Sequence, residues 1–188
     1  VVYSRKTGHK LADIPLDQVS EALADSPDHF VWVGLHEPDV VEMRLVKEEF
    51  GLHELAVEDA TRIQHRSKIE AYDDTLFVVV RTGRMENEDI VLGHTSVFVG
   101  PRYVLAVRQG GEKNPDKMRH GPAYVLYALL DFVVDNFYPV VEGLSQHLRD
   151  IEKDIFGSTF KRKTIRHLYE LKGELVDMKL AVGPMHDV

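Results

Sequence analysis

Three groups of charged residues in this sequence have the types and spacing for chemistry. The first is the run Glu86, Glu88 and Asp89. Hard cations such as Mg²⁺ take oxygen ligands and keep most of their water, so one or two carboxylates suffice for a weak site. Three acids in a short loop also serve simply to keep it solvated, and both readings stand. The second group is Glu58 and Asp59, followed by Arg62, His65, Arg66, Lys68 and Glu70. Charges alternating in sign around a helix-to-strand turn form either a solvated face or an ion-pair cluster. Such a cluster would fix the helix against a sheet edge or a neighbouring subunit. The third is Lys161, Arg162 and Lys163, with Arg166 and His167, at a helix start. Cations in a first turn oppose the helix dipole, so their placement asks for a reason beyond an exposed helix start. Anionic lipid headgroups, at about 1 kcal/mol per basic residue, or an adjacent subunit would supply one.

Other chemistry is missing from the pattern. His36-Glu37 and His53-Glu54 each lack the second His of a helical zinc motif. Gly110-Gly111 is followed by Glu-Lys-Asn-Pro, which is no phosphate loop, and there is no Gly-x-Ser-x-Gly elbow. With no cysteine there is no disulfide framework, thiolate zinc site or cysteine nucleophile. An enzyme is therefore not the expectation. The net charge of −8 disfavours nucleic acid and suits cations. Ten histidines tilt the choice of cation toward zinc, which imidazole suits better than it suits Mg²⁺.

The elements that must position these groups fall into two parts. Residues 1–120 read as an α/β domain with a mixed, partly antiparallel sheet and packed helices. Strands are expected at Val1–Ser4, Phe30–Leu35, Lys68–Tyr72, Thr75–Thr82, Ile90–Val99 and Tyr103–Gln109. Asp73-Asp74 has hairpin spacing, Leu76–Val80 is too apolar for anything but a central strand, and Arg84–Asp89 reads as a charged loop. Helices are expected over Pro15–Ala24, over about thirteen residues ending at Gly51, and over His53–Ala60. Val41, Leu45, Val46 and Phe50 are the expected inner face of the second, and Leu55 and Val57 of the third.

Residues 121–188 read as a long antiparallel helical hairpin broken at Gly157-Ser158, where Ser158 or Thr159 can cap the second helix. Leu130, Val134, Phe137, Val141, Leu144, Leu148, Ile151 and Ile155 form a heptad seam in the first helix. Leu168, Leu171, Leu175, Met178, Val182 and Met185 form one in the second. Pro139 should bend the first helix without breaking it. The second seam still runs at Val188, which suggests a chain cut from something longer. The longest unbroken apolar run, Ala123–Leu130, is well short of the ~20 residues of a spanning helix, so the chain as it stands reads as soluble.

Several stretches, in order, resemble the cytosolic domain of the CorA family of divalent-cation channels and transporters. They are Trp32-Val33-Gly34-Leu35 with Pro38; Phe50-Gly51-Leu52-His53-Glu54-Leu55-Ala56-Val57-Glu58-Asp59; His65-Arg66-Ser67-Lys68-Ile69-Glu70; and the apolar strand Leu76–Val80. Further on come Tyr124–Asp131, then Asp135, Tyr138, Pro139 and Pro184. Ser67 departs from the family, where proline is common. The resemblance implies a funnel-shaped homopentamer on the cytoplasmic face of the inner membrane. Further helices would carry the chain into the membrane and to the pore. It also implies Mg²⁺, or alternatively Zn²⁺, Co²⁺ or Ni²⁺, bound between neighbouring cytosolic domains to hold the pore shut. The loop carboxylate then corresponds to Glu86, Glu88 or Asp89. Glu58, Asp59, Arg66, Lys68, Glu70 and Asp131 become structural or interface residues, and Lys161, Arg162 and Lys163 face membrane or subunit. A zinc transporter of the ZntB kind, or a soluble α/β binding module with a coiled-coil hairpin, are the alternatives.

Overall fold

A computed structural model describes residues 1–62, 66–86, 89–110, 122–157 and 162–187, with backbone alone at Asp89, Arg162, His186 and Asp187. Seven strands form one sheet: β1 (Val2–Ser4), β2 (Lys10–Ala12), β3 (His29–His36), β4 (Lys68–Tyr72), β5 (Thr75–Glu86), β6 (Asp89–Val99) and β7 (Tyr103–Gln109). Their spatial order is β2-β1-β3-β7-β6-β5-β4. β3 and β7 run parallel, and the other pairs are antiparallel. The fold class is therefore the expected one. β2 was not foreseen: its three residues are all exposed, so it has no buried alternation to read.

Helices cover both faces. On one lie α1 (Val19–Asp25), α2 (Val40–Phe50) and α3 (Glu54–Thr61), packed on Val31, Val33, Phe77, Val79, Phe98, Leu105 and Val107. α2 starts at a capping box, in which Asp39 accepts from the Val41 and Glu42 amides while Glu42 reaches back to the Asp39 amide. It stops at Gly51, whose φ of 62° is the left-handed conformation glycine adopts without strain. The expected inner faces need correction. Val41 is 74% exposed, and Met43, Val46 and Phe50 are the buried set. In α3 Val57 packs against the core as expected, whereas Leu55 is exposed and Ala56 and Ala60 are the buried residues. Alanines let α3 sit close against its neighbours, and a larger inner face would hold it off.

On the other face lies α4 (Pro122–Phe156); α5 (Arg162–Val182) packs against it and reaches β5, and a 3-10 turn at Gly183–Asp187 reaches β4. α4 buries Val125, Leu129, Val133, Phe137, Val140, Leu144 and Ile151. Those steps of four and three follow the 3.6 period of a straight helix lying on a sheet. The heptad seam thus holds at Phe137, Leu144 and Ile151, whereas Val134, Val141, Leu148 and Ile155 face outward. In α5 Leu171 and Ala181 are buried, Met178 is partly so, and Leu168, Leu175 and Val182 are exposed. α4 runs on through Pro139, whose side is exposed, so water can serve the carbonyl that the proline leaves without its helical donor. By length and composition alone α4 would qualify as a membrane span. In this fold one of its apolar stripes lies on the sheet, and the other, through Tyr127, Val134 and Val141, is exposed.

Candidate functional site

The β5–β6 hairpin is longer than any other pair in the sheet. Its ladder is unbroken from Leu76↔Val99 to Glu86↔Asp89. β4 pairs with β5 only as far as Val79, and β7 pairs with β6 only as far as His94. Among the described residues, from Thr82↔Gly93 outward the two strands pair only with each other. At ~3.3 Å per residue, this two-stranded ribbon projects roughly 15 Å beyond the sheet. An isolated hairpin is marginal in water, and this one rests on α4. Gly83 lies under the Phe137 ring: a Cβ there would come within 2.8 Å of Phe137 Cε1. Gly143 receives Met85 in the same way: a Cβ on Gly143 would lie 2.7 Å from Met85 Cε. Met85 and Ile90 join Val140, Leu144, Ile151, Leu171 and Met178 in a small separate core.

The residues expected to form a loop, Arg84–Asp89, are thus mostly strand. The acidic group sits at the ribbon's end. Glu86 is the last residue of β5, half exposed, with Oε2 2.6 Å from Arg84 Nη2. Asp89 is the first residue of β6, and Glu88 lies outside the described residues. A divalent cation taking Glu86 Oε2 as a ligand competes with Arg84. Exposed ion pairs are worth up to about 1 kcal/mol. Arg84→Gln is therefore expected to tighten Mg²⁺ binding up to about fivefold, read by titration calorimetry. An unchanged or weaker affinity would show that Mg²⁺ does not compete with Arg84 for Glu86. Among the described residues no three His, Asp or Glu side chains gather closely enough to hold a metal ion.

The second charged group is brought together in part. Lys68 Nζ lies 2.5 Å from Asp59 Oδ2 and 2.8 Å from Glu70 Oε2, joining α3 to edge strand β4. The Tyr72 hydroxyl donates to Glu70 at 3.0 Å, and Lys68 lies over the Phe77 ring. Glu58 pairs instead with Arg62 at the C-terminal end of α3, Arg66 is exposed, and His65 lies outside the described residues. Burial works to lower the Lys68 pKa. Its hydrogen bonds to Asp59 and Glu70 outweigh that, and the value is raised. A raised pKa means that the stabilisation is complete at neutral pH and fades as pH climbs past the usual lysine value of 10.5. Lys68→Met is expected to cost about 1–2 kcal/mol at pH 7, with the gap to wild type closing only as pH rises past the usual lysine value of 10.5. A gap that stays constant in alkali would assign the loss to packing.

The remaining candidates stand apart. Asp131 is exposed on α4, and Lys163 is exposed on the first turn of α5. Arg162 is placed by backbone alone, and Lys161, with the capping candidates Ser158 and Thr159, lies outside the described residues.

One feature escaped the sequence: a band of buried polar residues at the root of the ribbon. Arg81, His94 and Gln109 share one register row, and Thr95 pairs with Arg108 in the next. All but Gln109 are buried. Burial pulls the Arg81 pKa down against the opposing charge of Asp177 on α5, and pulls Arg108 down against Glu37. The arginines stand inside runs that otherwise read as central strands, and that was the available signal. Gly83 and Gly143, isolated in a strand and in a helix, likewise signalled close approach.

A seven-stranded mixed sheet between helical layers, continued by a long helical hairpin, matches the soluble domain of CorA from Methanocaldococcus jannaschii. The TM-score is 0.75 at 14% identity, covering 100% of this chain and 76% of that one. The cytoplasmic domain of ZntB from Vibrio parahaemolyticus gives 0.62 at 15% identity, covering 83% and 65%. At such identities the likeness is one of fold. The sequence carries it further: the CorA-like Mg²⁺ transporter family matches residues 27–188, and the chain belongs to that family. YfjQ of Bacillus subtilis is 26% identical over 195 residues, spanning 97% of this chain and 59% of that protein. The cobalt/magnesium transport protein CorA of Thermotoga maritima is 24% identical over 169 residues, spanning 82% and 47%. The chain thus spans about half the length of these relatives.

Proposed function

We propose that this chain is the cytosolic regulatory domain of a CorA-like Mg²⁺ channel, with a divalent cation bound between subunits favouring the closed state. The observation that carries the reading is the acidic end of the β5–β6 ribbon, held clear of the sheet on a braced support. Carboxylates on adjacent subunits repel one another, and a bridging cation converts that repulsion into attraction. Coupling of about 1–3 kcal/mol per site is usual for allostery, and five sites in a homopentamer would add. Glu86, Glu88 and Asp89 are the proposed cation ligands. The basic residues Lys161, Arg162 and Lys163 are proposed to face lipid headgroups or the next subunit at the cytoplasmic side of the membrane.

The test is cation flux by the full-length protein in liposomes, comparing Mg²⁺ with Zn²⁺, with and without a proton gradient. Mg²⁺ flux inhibited by Mg²⁺ on the cytosolic side, with inhibition relieved by Ala at Glu86, Glu88 and Asp89, is the expected result. Proton-driven Zn²⁺ flux would move the protein to the zinc-transporting branch. No flux of either ion would favour a binding module.

A further inference from the structure

We infer that the β5–β6 ribbon and the α4–α5 hairpin form one cooperative unit, through which occupancy at the ribbon's end is transmitted to α5. The inference rests on the cation reading above for what occupies the end, and on geometry for the transmission.

β5 is attached to the helices at successive points along its outer half. At its root the Arg81 amide donates to Ser67 Oγ at 3.1 Å, and that hydroxyl faces the Ala181 carbonyl near the end of α5 at 3.5 Å. Asp177, one helical turn earlier, acts on the Arg81 charge. Gly83 then seats against Phe137, and Met85 against Gly143. These pairs fix the direction: the ribbon runs along α4 toward the α4–α5 turn. Beyond the sheet edge the ribbon has no other described support. The helices in turn are held together there by the same core, in which Leu144 and Ile151 of α4 meet Leu171 of α5 around Met85 and Ile90. His147 and Glu174 approach to 3.7 Å across the same interface.

Removing the ribbon from this core strips apolar cover from both helices, and removing the helices leaves a bare hairpin. The ribbon and the outer part of the hairpin around Val140, Leu144, Ile151 and Leu171 thus share one small core, which is the condition for opening as one unit. A charge change at Glu86 acts on a strand whose next inward residue, Met85, is embedded in the interhelical core.

Native-state hydrogen exchange on this chain tests it. Exchange of the Arg84–Met85 and Ile90–Leu92 amides is expected to share one opening equilibrium with the amides of Val140–Leu144 and Leu171. Met85→Ala is expected to raise exchange of all three segments together, about 30-fold at the lower end of core truncations. Ile90→Ala should do the same. The amides of Val46 and Phe50 in α2 should stay at wild-type rates. Ribbon amides that accelerate while α4 and α5 keep their protection would overturn the coupling. A second arm adds Mg²⁺ alone to the full-length protein, in which neighbouring subunits complete the proposed site. Protection rising at the ribbon and in α4–α5 together supports transmission, and protection confined to the ribbon overturns it. Rates that Mg²⁺ leaves unchanged everywhere overturn the cation reading, with the coupling judged on the Met85→Ala arm.

Discussion

Gly93→Ala will destabilise this chain by about 3 kcal/mol, at the upper end of overpacking costs, whereas Gly173→Ala will stabilise it by about 1 kcal/mol. The two substitutions add the same methyl group. At Gly93 the new Cβ would lie 2.8 Å from the Gln109 carbonyl oxygen and 3.2 Å from the Gly110 carbonyl carbon. Both are backbone atoms at the end of β7, so relief requires moving a strand. At Gly173 nothing lies within 4 Å, and the position is in the exposed interior of α5, where alanine is the better helix former. Urea unfolding with an unchanged slope is the measurement. A neutral Gly93→Ala would mean that β7 does not close on β6 at this row. The row matters because it is the ribbon's root: inward, at His94↔Gln109, the sheet is three strands deep, and outward the ribbon stands alone.

What could be read from the sequence divides along physical lines. Leu76–Val80 and Tyr103–Gln109 announce themselves because a strand covered on both faces is apolar at every position. The ribbon did not, because Arg84, Glu86 and Glu88 alternate with Met85 and Asn87 and read as a soluble loop. Only the helix beneath explains why Met85 and Ile90 point away from water, and that helix is more than fifty residues distant in the chain. α4 shows the complementary failure. Its sequence holds two apolar stripes, one through Val125, Leu129 and Val133, the other through Tyr127, Val134 and Val141. The heptad reading mixes the two lines, and the buried face is the first, continued through Phe137, Val140 and Leu144. For the charged groups, Asp59, Lys68 and Glu70 were legible because strand alternation and a nearby helix end bring them to one face. The Arg84–Glu86 pair was missed because i and i+2 share a face only if the segment is a strand.

Phe137→Ala carries the largest single cost, about 3–5 kcal/mol, and its partner shows how the ribbon is seated. Phe137 is buried, and a Cβ at Gly83 would sit 2.8 Å from Phe137 Cε1, 3.2 Å from Cδ1 and 3.3 Å from Leu92 Cδ2. Gly83→Ala alone is therefore expected to cost about 1–3 kcal/mol, because the ring has α4 behind it and cannot retreat freely. In the Phe137→Ala background that ring is gone, and the alanine methyl fills part of the cavity it leaves. The double variant should then be less destabilised than the sum of the singles by about 1–2 kcal/mol. Additivity within about 0.5 kcal/mol would show that ribbon and helix do not touch at this point. Coupling of the expected sign would place the contact in solution, between the strand that ends at Glu86 and the helix that leads to α5. It would also separate two roles for glycine in this fold. Gly93 admits a neighbouring strand, whereas Gly83 admits an aromatic ring from the helical hairpin, and only the second ties the ribbon to the elements beyond the sheet.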